Sequence, residues 1–168
     1  MVEPLSSSIG FLILNWAMIE ACLDFNTAII FHAAGGKHID REIPMALKSK
    51  LKFLRRCFSQ IDMLHPFADE AIGYLSRVQD LSQTRHAVVH GFASKYDGSH
   101  KDGERFLFVK LDLINGRTLH KSQEVWISGR KIVNDGVKCK ELVTELTAFT
   151  KRFLKTYIPD HKDYEFLQ

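Results

Sequence analysis

An arginine and two histidines crowd the segment TRHAVVHG, Thr84 to Gly91. Imidazole is the side chain whose ordinary pKa lies nearest neutrality, so His86 or His90 can accept or donate a proton under physiological conditions. The Arg85 guanidinium stays charged and can clamp a phosphate through two parallel N–H donors. An acid–base group beside a fixed cation suits cleavage of RNA by its own 2′-hydroxyl. The histidine handles the proton while the arginine holds the charge growing on the phosphoryl oxygens. That scheme calls for no metal and no bound cofactor.

On a helix, Arg85 and His90 stand about 140° apart and within roughly 7.5 Å along the axis. His86 and His90, at i and i+4, share one edge. Structural roles account for the same residues. An exposed imidazolium at a helix C-terminus interacts with the macrodipole by roughly 0.3 to 1 kcal/mol, and Arg85 can bridge to Glu20 or Asp24, themselves at i and i+4 on the first helix. Glu20 falls in the most apolar section of that helix and needs a partner if buried, which makes it a candidate support for the motif. The His86–His90 spacing would suit two metal ligands. It lacks the glutamate of H-E-x-x-H and an obvious third ligand, so no metal site is read from the sequence. His32, His38, His65, His100 and His120 fit no ligand series.

The elements that must position these groups follow from hydrophobic period and punctuation. A first helix is predicted from Ser7 or Ser8 to about Ala34, where Gly35 and Gly36 end it. Leu12, Trp16, Ile19, Leu23 and Ile30 form its apolar stripe, and Phe11, Leu14, Met18, Cys22, Phe25 and Ile29 widen it, as expected of a helix central to a bundle. Pro44 suits the first turn of a second helix with Leu47, Leu51, Leu54, Phe58 and Ile61 inward, up to a break at His65-Pro66. Lys48, Lys52 and Arg55, at i, i+4 and i+7, gather its positive charge on one face. That face is either solvated surface or an RNA-binding strip. A third helix is predicted from about Phe67 to His90, with Gly91 as C-cap.

Beyond Gly91 the period changes. KYDGSHKDGE reads as a polar loop, and RFLFVKLDLI and RTLHKSQEVWI, joined by Asn115-Gly116, read as a β-hairpin at about 104–128. Phe106, Phe108 and Trp126 in it either stack bases or pack the hairpin on the bundle or on a second subunit. Asn134, Asp135 and Gly136 are read as a turn and N-cap before a fourth helix that Pro159 stops, and the tail from Asp160 as loosely held.

The bulk properties bound the rest. A chain of 168 residues, 45% hydrophobic, with a formal charge of +3 fits one globular domain over 1–168 and permits an anionic partner without requiring one. Cys22, Cys57 and Cys139 are odd in number and far apart, which argues for a reducing cytoplasm rather than a disulfide framework. The apolar run IGFLILNWAMIEACL lacks a basic leader and is interrupted by Asn15 and Glu20, so it reads as a core helix, with no membrane partner.

The string Arg85-His86-Ala87-Val88-Val89-His90, near the end of the third helix of a small bundle, resembles the R-x(4 to 6)-H motif of the HEPN superfamily, with His86 in its variable polar position. The resemblance covers roughly residues 8 to 92 and 137 to 158. It implies a mainly α fold, an HEPN-like four-helix bundle in which the β-hairpin is an insertion between the third and last helices. It also implies a metal-independent endoribonuclease acting as a homodimer, with a toxin or defence role and an antitoxin-like protein partner. Arg85 would then stabilise the phosphate, His90 transfer the proton, and His86 orient the scissile group or support His90. The alternative is a non-catalytic HEPN-like module for dimerisation or for ligand or RNA binding, since fold and chemistry are separable.

Overall fold

A computed structural model describes residues 2–101, 103–114 and 118–157, with side chains described for all of these except 2–4, 112–114 and 118–122. It is mainly helical, with four helices and a strand insertion between the third and the fourth, the order expected of a helical bundle carrying a hairpin. The helices are α1 (Val2–Ala33), α2 (Leu47–Gln60), α3 (Ala68–His90) and α4 (Gly129–Tyr157); short 3-10 turns occupy Gly36–His38 and Asp62–Phe67. Two compact units form, one from residues 1–16 and 80–140, the other from 17–79 and 141–168.

In the first unit the insertion has three strands rather than two. The strands β1 (Phe92–Asp97), β2 (Arg105–Ile114) and β3 (Thr118–Ser128) form an antiparallel sheet in the order β1-β2-β3. Part of the stretch expected as loop is therefore β1. Its residues are exposed on both faces up to Tyr96, so it shows none of the apolar alternation that marks a half-buried strand. β2, hydrogen-bonded on both sides, buries four consecutive residues, Phe106 to Val109. Phe106 and Phe108 thus pack rather than stack bases. Trp126 is partly exposed, but the Arg105 guanidinium lies 5.1 Å from its ring centre. The Asn115-Gly116 turn and the tail from Asp160 lie outside the described residues.

Helix α4 begins at Gly129, ahead of the predicted Asn134–Gly136 turn. Ser128 is the effective cap, its hydroxyl accepting the Lys131 backbone N–H at 3.1 Å. Asp135 and Gly136 are interior helix residues with packing duties. Asp135 is buried and accepts hydrogen bonds from the Thr84 hydroxyl at 2.6 Å and the Lys131 ammonium at 2.8 Å. A Cβ on Gly136 would stand 2.8 Å from the Phe11 ring, so glycine lets α1 approach α4 there.

The stripe Leu12, Trp16, Ile19, Leu23 and Ile30 of α1 is buried, together with Cys22 and Ile29. Phe11, Leu14 and Met18 are instead exposed, Leu14 at 71%, so the upper part of α1 presents an apolar side outward. The segment Leu5–Ala33 is long and apolar enough to cross a membrane by composition alone, a test that the core helix of a soluble protein also passes.

Helix α2 starts after an extended Ala46, leaving Pro44 ahead of it. In its unit, rings of Phe58, Phe67, Phe149, Phe153 and Tyr157 interlock at centroid separations of 4.7 to 6.2 Å, mostly edge to face or tilted. Such pairs contribute about 0.5 to 1.5 kcal/mol each beyond the area they bury. Polar ties reinforce them. The Arg152 guanidinium spans both Glu70 oxygens at 2.5 and 2.7 Å, Arg77 pairs with Glu145, and the buried Asn26 amide donates to Thr150 at 2.8 Å.

Two measurements follow from this packing. Thr84→Val removes a donor from a buried carboxylate and is expected to lower unfolding free energy by about 1 to 3 kcal/mol in denaturant titrations. The three cysteines are buried and unpaired with one another. Burial pushes the Cys57 thiol up to about 12, with help from the Asp40 carboxylate, and the Cys139 thiol up to about 11. A thiol titrating three units above the medium is only ~0.1% thiolate. Thiol-specific reagents at pH 8 should accordingly leave the native protein unlabelled at both and label them once it unfolds.

Candidate functional site

The site is built on the last turn and a half of α3, within the first unit. Thr84, one residue before the arginine, is anchored on Asp135, which fixes the rotation of the helix end. From that anchored turn Arg85 is half-buried, while His86 and His90 are exposed. The arginine bridges the angular gap to His90 with its long stem, placing Nη1 3.4 Å from His90 Nε2. A guanidinium only donates, so Nε2 faces it as the acceptor and a neutral His90 carries its proton on Nδ1. The His86 and His90 rings lie 4.7 Å apart, tilted by 51°. All three polar side chains of the motif therefore meet at one helix end.

Beneath them lies a residue that the motif does not contain. The Arg85 guanidinium stands 5.8 Å from the ring centre of Trp16, which is 1% exposed. A cation over an indole face contributes about 0.5 to 1 kcal/mol near a surface, and here it also restricts the arginine to one side of the helix end.

Gly91 works differently from the expected left-handed cap. Its φ is not positive, and its N–H still bonds the Ala87 carbonyl at 2.9 Å in helical fashion. A Cβ at this position would meet the Ala87 oxygen at 2.6 Å, the Val109 oxygen at 3.3 Å and Phe108 at 3.4 Å. A side chain here would press first on the Ala87 carbonyl of the helix's own last turn and then on β2, close beyond it. That close approach opens a shallow cleft beside His86, floored by Ala87, Gly91, Phe108 and Val125 and rimmed by Lys110 and Gln123.

The other sequence candidates belong to the second unit. Glu20 is half-buried there, and Asp24 pairs with Lys50 rather than with the motif. Lys48 and Lys52 are exposed and Arg55 is half-buried on α2, and none of the three is held in an ion pair among the described residues. Two neighbouring cations are engaged: Lys50 with Asp24, and Arg56 with Asp40 at 2.7 Å. Among the described residues no three His, Cys, Asp or Glu side chains gather as metal ligands would.

Trp16, Thr84, Lys110 and Gln123 were not among the sequence candidates. Lys110 alone left a signal, as the polar residue that continues the Phe106, Phe108 alternation of β2. No protein-family model, characterised protein or solved structure matches the chain.

Gly91→Ala should drive the added Cβ into the Ala87 carbonyl and crowd β2 beyond it. We expect a loss of about 1 to 3 kcal/mol in thermal or denaturant unfolding, the usual range for overpacking a filled site. An unchanged midpoint would show that this junction yields freely.

Proposed function

We propose that the chain is an HEPN-like, metal-independent endoribonuclease that acts as a homodimer, with Arg85 binding the scissile phosphate and His90 moving the proton. The observation that carries this reading is the 3.4 Å approach of Arg85 Nη1 to His90 Nε2 at an accessible helix end. A neutral His90 imidazole is suited to take the 2′-hydroxyl proton once the guanidinium exchanges its contact with Nε2 for the phosphate, and the guanidinium is then suited to hold the phosphoryl oxygens as their charge grows. His86, in ring contact with His90, is placed to orient the scissile group or to support the imidazolium that forms. Lys48, Lys52 and Arg55 would add backbone phosphate contacts whose strength falls with salt. In this reading the protein is a cytoplasmic toxin or defence nuclease restrained by an antitoxin-like partner.

Homodimerisation has its own support. Phe11 and Leu14 on α1 and Val133 and Val137 on α4 are exposed around the Phe11–Gly136 contact. An outward apolar cluster of this kind is suited to burial against another protein surface.

The burial of Trp16 under Arg85 favours a second reading, in which Arg85 and the histidines hold a subunit interface or an anionic ligand without chemistry. The two readings separate cleanly in assay. For the nuclease, RNA is cut in the presence of EDTA, and His90→Ala and Arg85→Ala, while still folded, lose roughly 10²- to 10⁴-fold in rate. A dimeric preparation that cuts none of a broad set of RNAs would sink the nuclease. An Arg85→Ala protein with unchanged dimer mass and melting temperature would sink the interface role. Leu14→Asp is expected to shift the sedimentation coefficient from dimer to monomer.

A further inference from the structure

We propose that His86 and His90 form a two-imidazole chelate for a divalent transition-metal ion, copper(II) or zinc(II), and that the bound ion switches the site off. The binding stands on the geometry of the two rings. Its regulatory meaning rests on the ribonuclease reading above, in which His90 must take a proton.

Both histidines are exposed and stand at i and i+4, so one turn of α3 carries two imidazoles on the same edge. Their ring centres are 4.7 Å apart and their planes are tilted by 51°. A metal–imidazole bond is about 2.0 to 2.1 Å long, which puts an ion about 3.2 Å from each ring centre. Two rings on one ion then stand about 4.5 Å apart for bonds at a right angle and about 5.2 Å apart at the tetrahedral angle. The separation found at the end of α3 lies between those two values. A ring centre lies close to the axis of its Cβ–Cγ bond, about which histidine turns with little restriction, so the nitrogens can be aimed at one point without moving the rings apart. The chelate needs two surface rings to turn and no shift of backbone.

Imidazole selects the class of ion. It suits copper and zinc, with copper the tighter, whereas magnesium prefers oxygen ligands. Among the described residues no third His, Cys, Asp or Glu joins the pair, so water fills the remaining positions and the ion is held reversibly.

The ion and the proposed chemistry compete for one lone pair. His90 Nε2 faces Arg85 Nη1 at 3.4 Å. An ion on Nε2 takes the place of that contact, and a nitrogen that gives its lone pair to a metal cannot accept the 2′-hydroxyl proton. Coordination forms one bond to each imidazole and releases water from the hydrated ion, with no electron transferred. The nearby guanidinium charge opposes the ion, although solvent at an exposed helix end screens it.

Two measurements test this together. The first titrates copper(II), zinc(II) and magnesium into the metal-free protein by calorimetry and follows the histidine ring resonances by NMR. Copper or zinc should affect the His86 and His90 rings together before any other histidine, and magnesium should leave both unmoved. His86→Ala and His90→Ala should each weaken binding about tenfold or more, and Arg85→Ala should tighten it. Binding that neither histidine variant weakens, or that begins at His32, His38, His65 or His100, overturns the chelate. The second follows RNA cutting with zinc added beyond the EDTA present. The rate should fall at least about tenfold and recover on further EDTA, and His86→Ala, measured against its own metal-free rate, should need about tenfold more zinc for half inhibition. Histidine-dependent binding in a protein that cuts no RNA would uphold the chelate and remove the nuclease. Cutting without histidine-dependent binding would overturn the chelate and leave the nuclease standing, and cutting that a bound ion leaves unchanged would overturn the switch.

Discussion

The buried carboxylate of Asp135 is the constraint on which the first unit depends. Removing a carboxylate from water costs several kcal/mol unless its oxygens are satisfied. Here Thr84 of α3 and Lys131 of α4 both donate to it. Lys131 moves with Asp135 on α4, so the Thr84 hydroxyl is what ties the rotation of the end of α3 to α4, and a slipped register would cost the buried carboxylate that hydrogen bond. The next residue, Gly136, adds a second restriction by admitting the Phe11 ring of α1. Two adjacent positions of α4 thus determine where two other helices of the unit stand.

That rotation determines what the motif can present. With Thr84 facing inward, Arg85 comes over Trp16, and His86 and His90 fall on the accessible side. The sheet completes the arrangement from the other direction, since Gly91 leads without a spacer into β1 and β2 packs on the helix end. A helix end trapped between a buried carboxylate and a sheet has little freedom to move. Preorganised donors of this kind need little reorganisation when charge develops on a bound phosphate.

The same packing explains why two roles compete for Arg85. A guanidinium over a buried indole contributes to stability, and in the proposed reading the same guanidinium, 3.4 Å from an imidazole, binds an anion. These are compatible, because a guanidinium can turn a face to an indole and keep its N–H donors, which lie in its plane, for an anion. The exposed apolar residues around the Phe11–Gly136 contact carry a different implication, since a second copy covering them would bury surface that a lone chain leaves in water.

Much of this was legible along the chain. The helical period of Leu12, Trp16, Ile19 and Leu23 marked the buried stripe of α1, and the change of period after Gly91 marked the insertion; both patterns are local and repeat several times. The crowding of Arg85, His86 and His90 was likewise evident, because helical spacing alone brings i and i+4 together. Other features depended on partners distant in sequence. Asp135 and Gly136 look like turn residues until Thr84 and Phe11 are seen against them. The strand β1 has no apolar alternation, and it is a strand because β2 supplies its hydrogen bonds. Lys110 and Gln123 are ordinary polar residues of two strands until antiparallel register sets them opposite each other beside His86. Residue types and local spacing determined which polar groups crowd the helix end, and tertiary structure alone decided which way that end turns and what lies beside it, because burial and cross-strand register are properties of pairs rather than of segments.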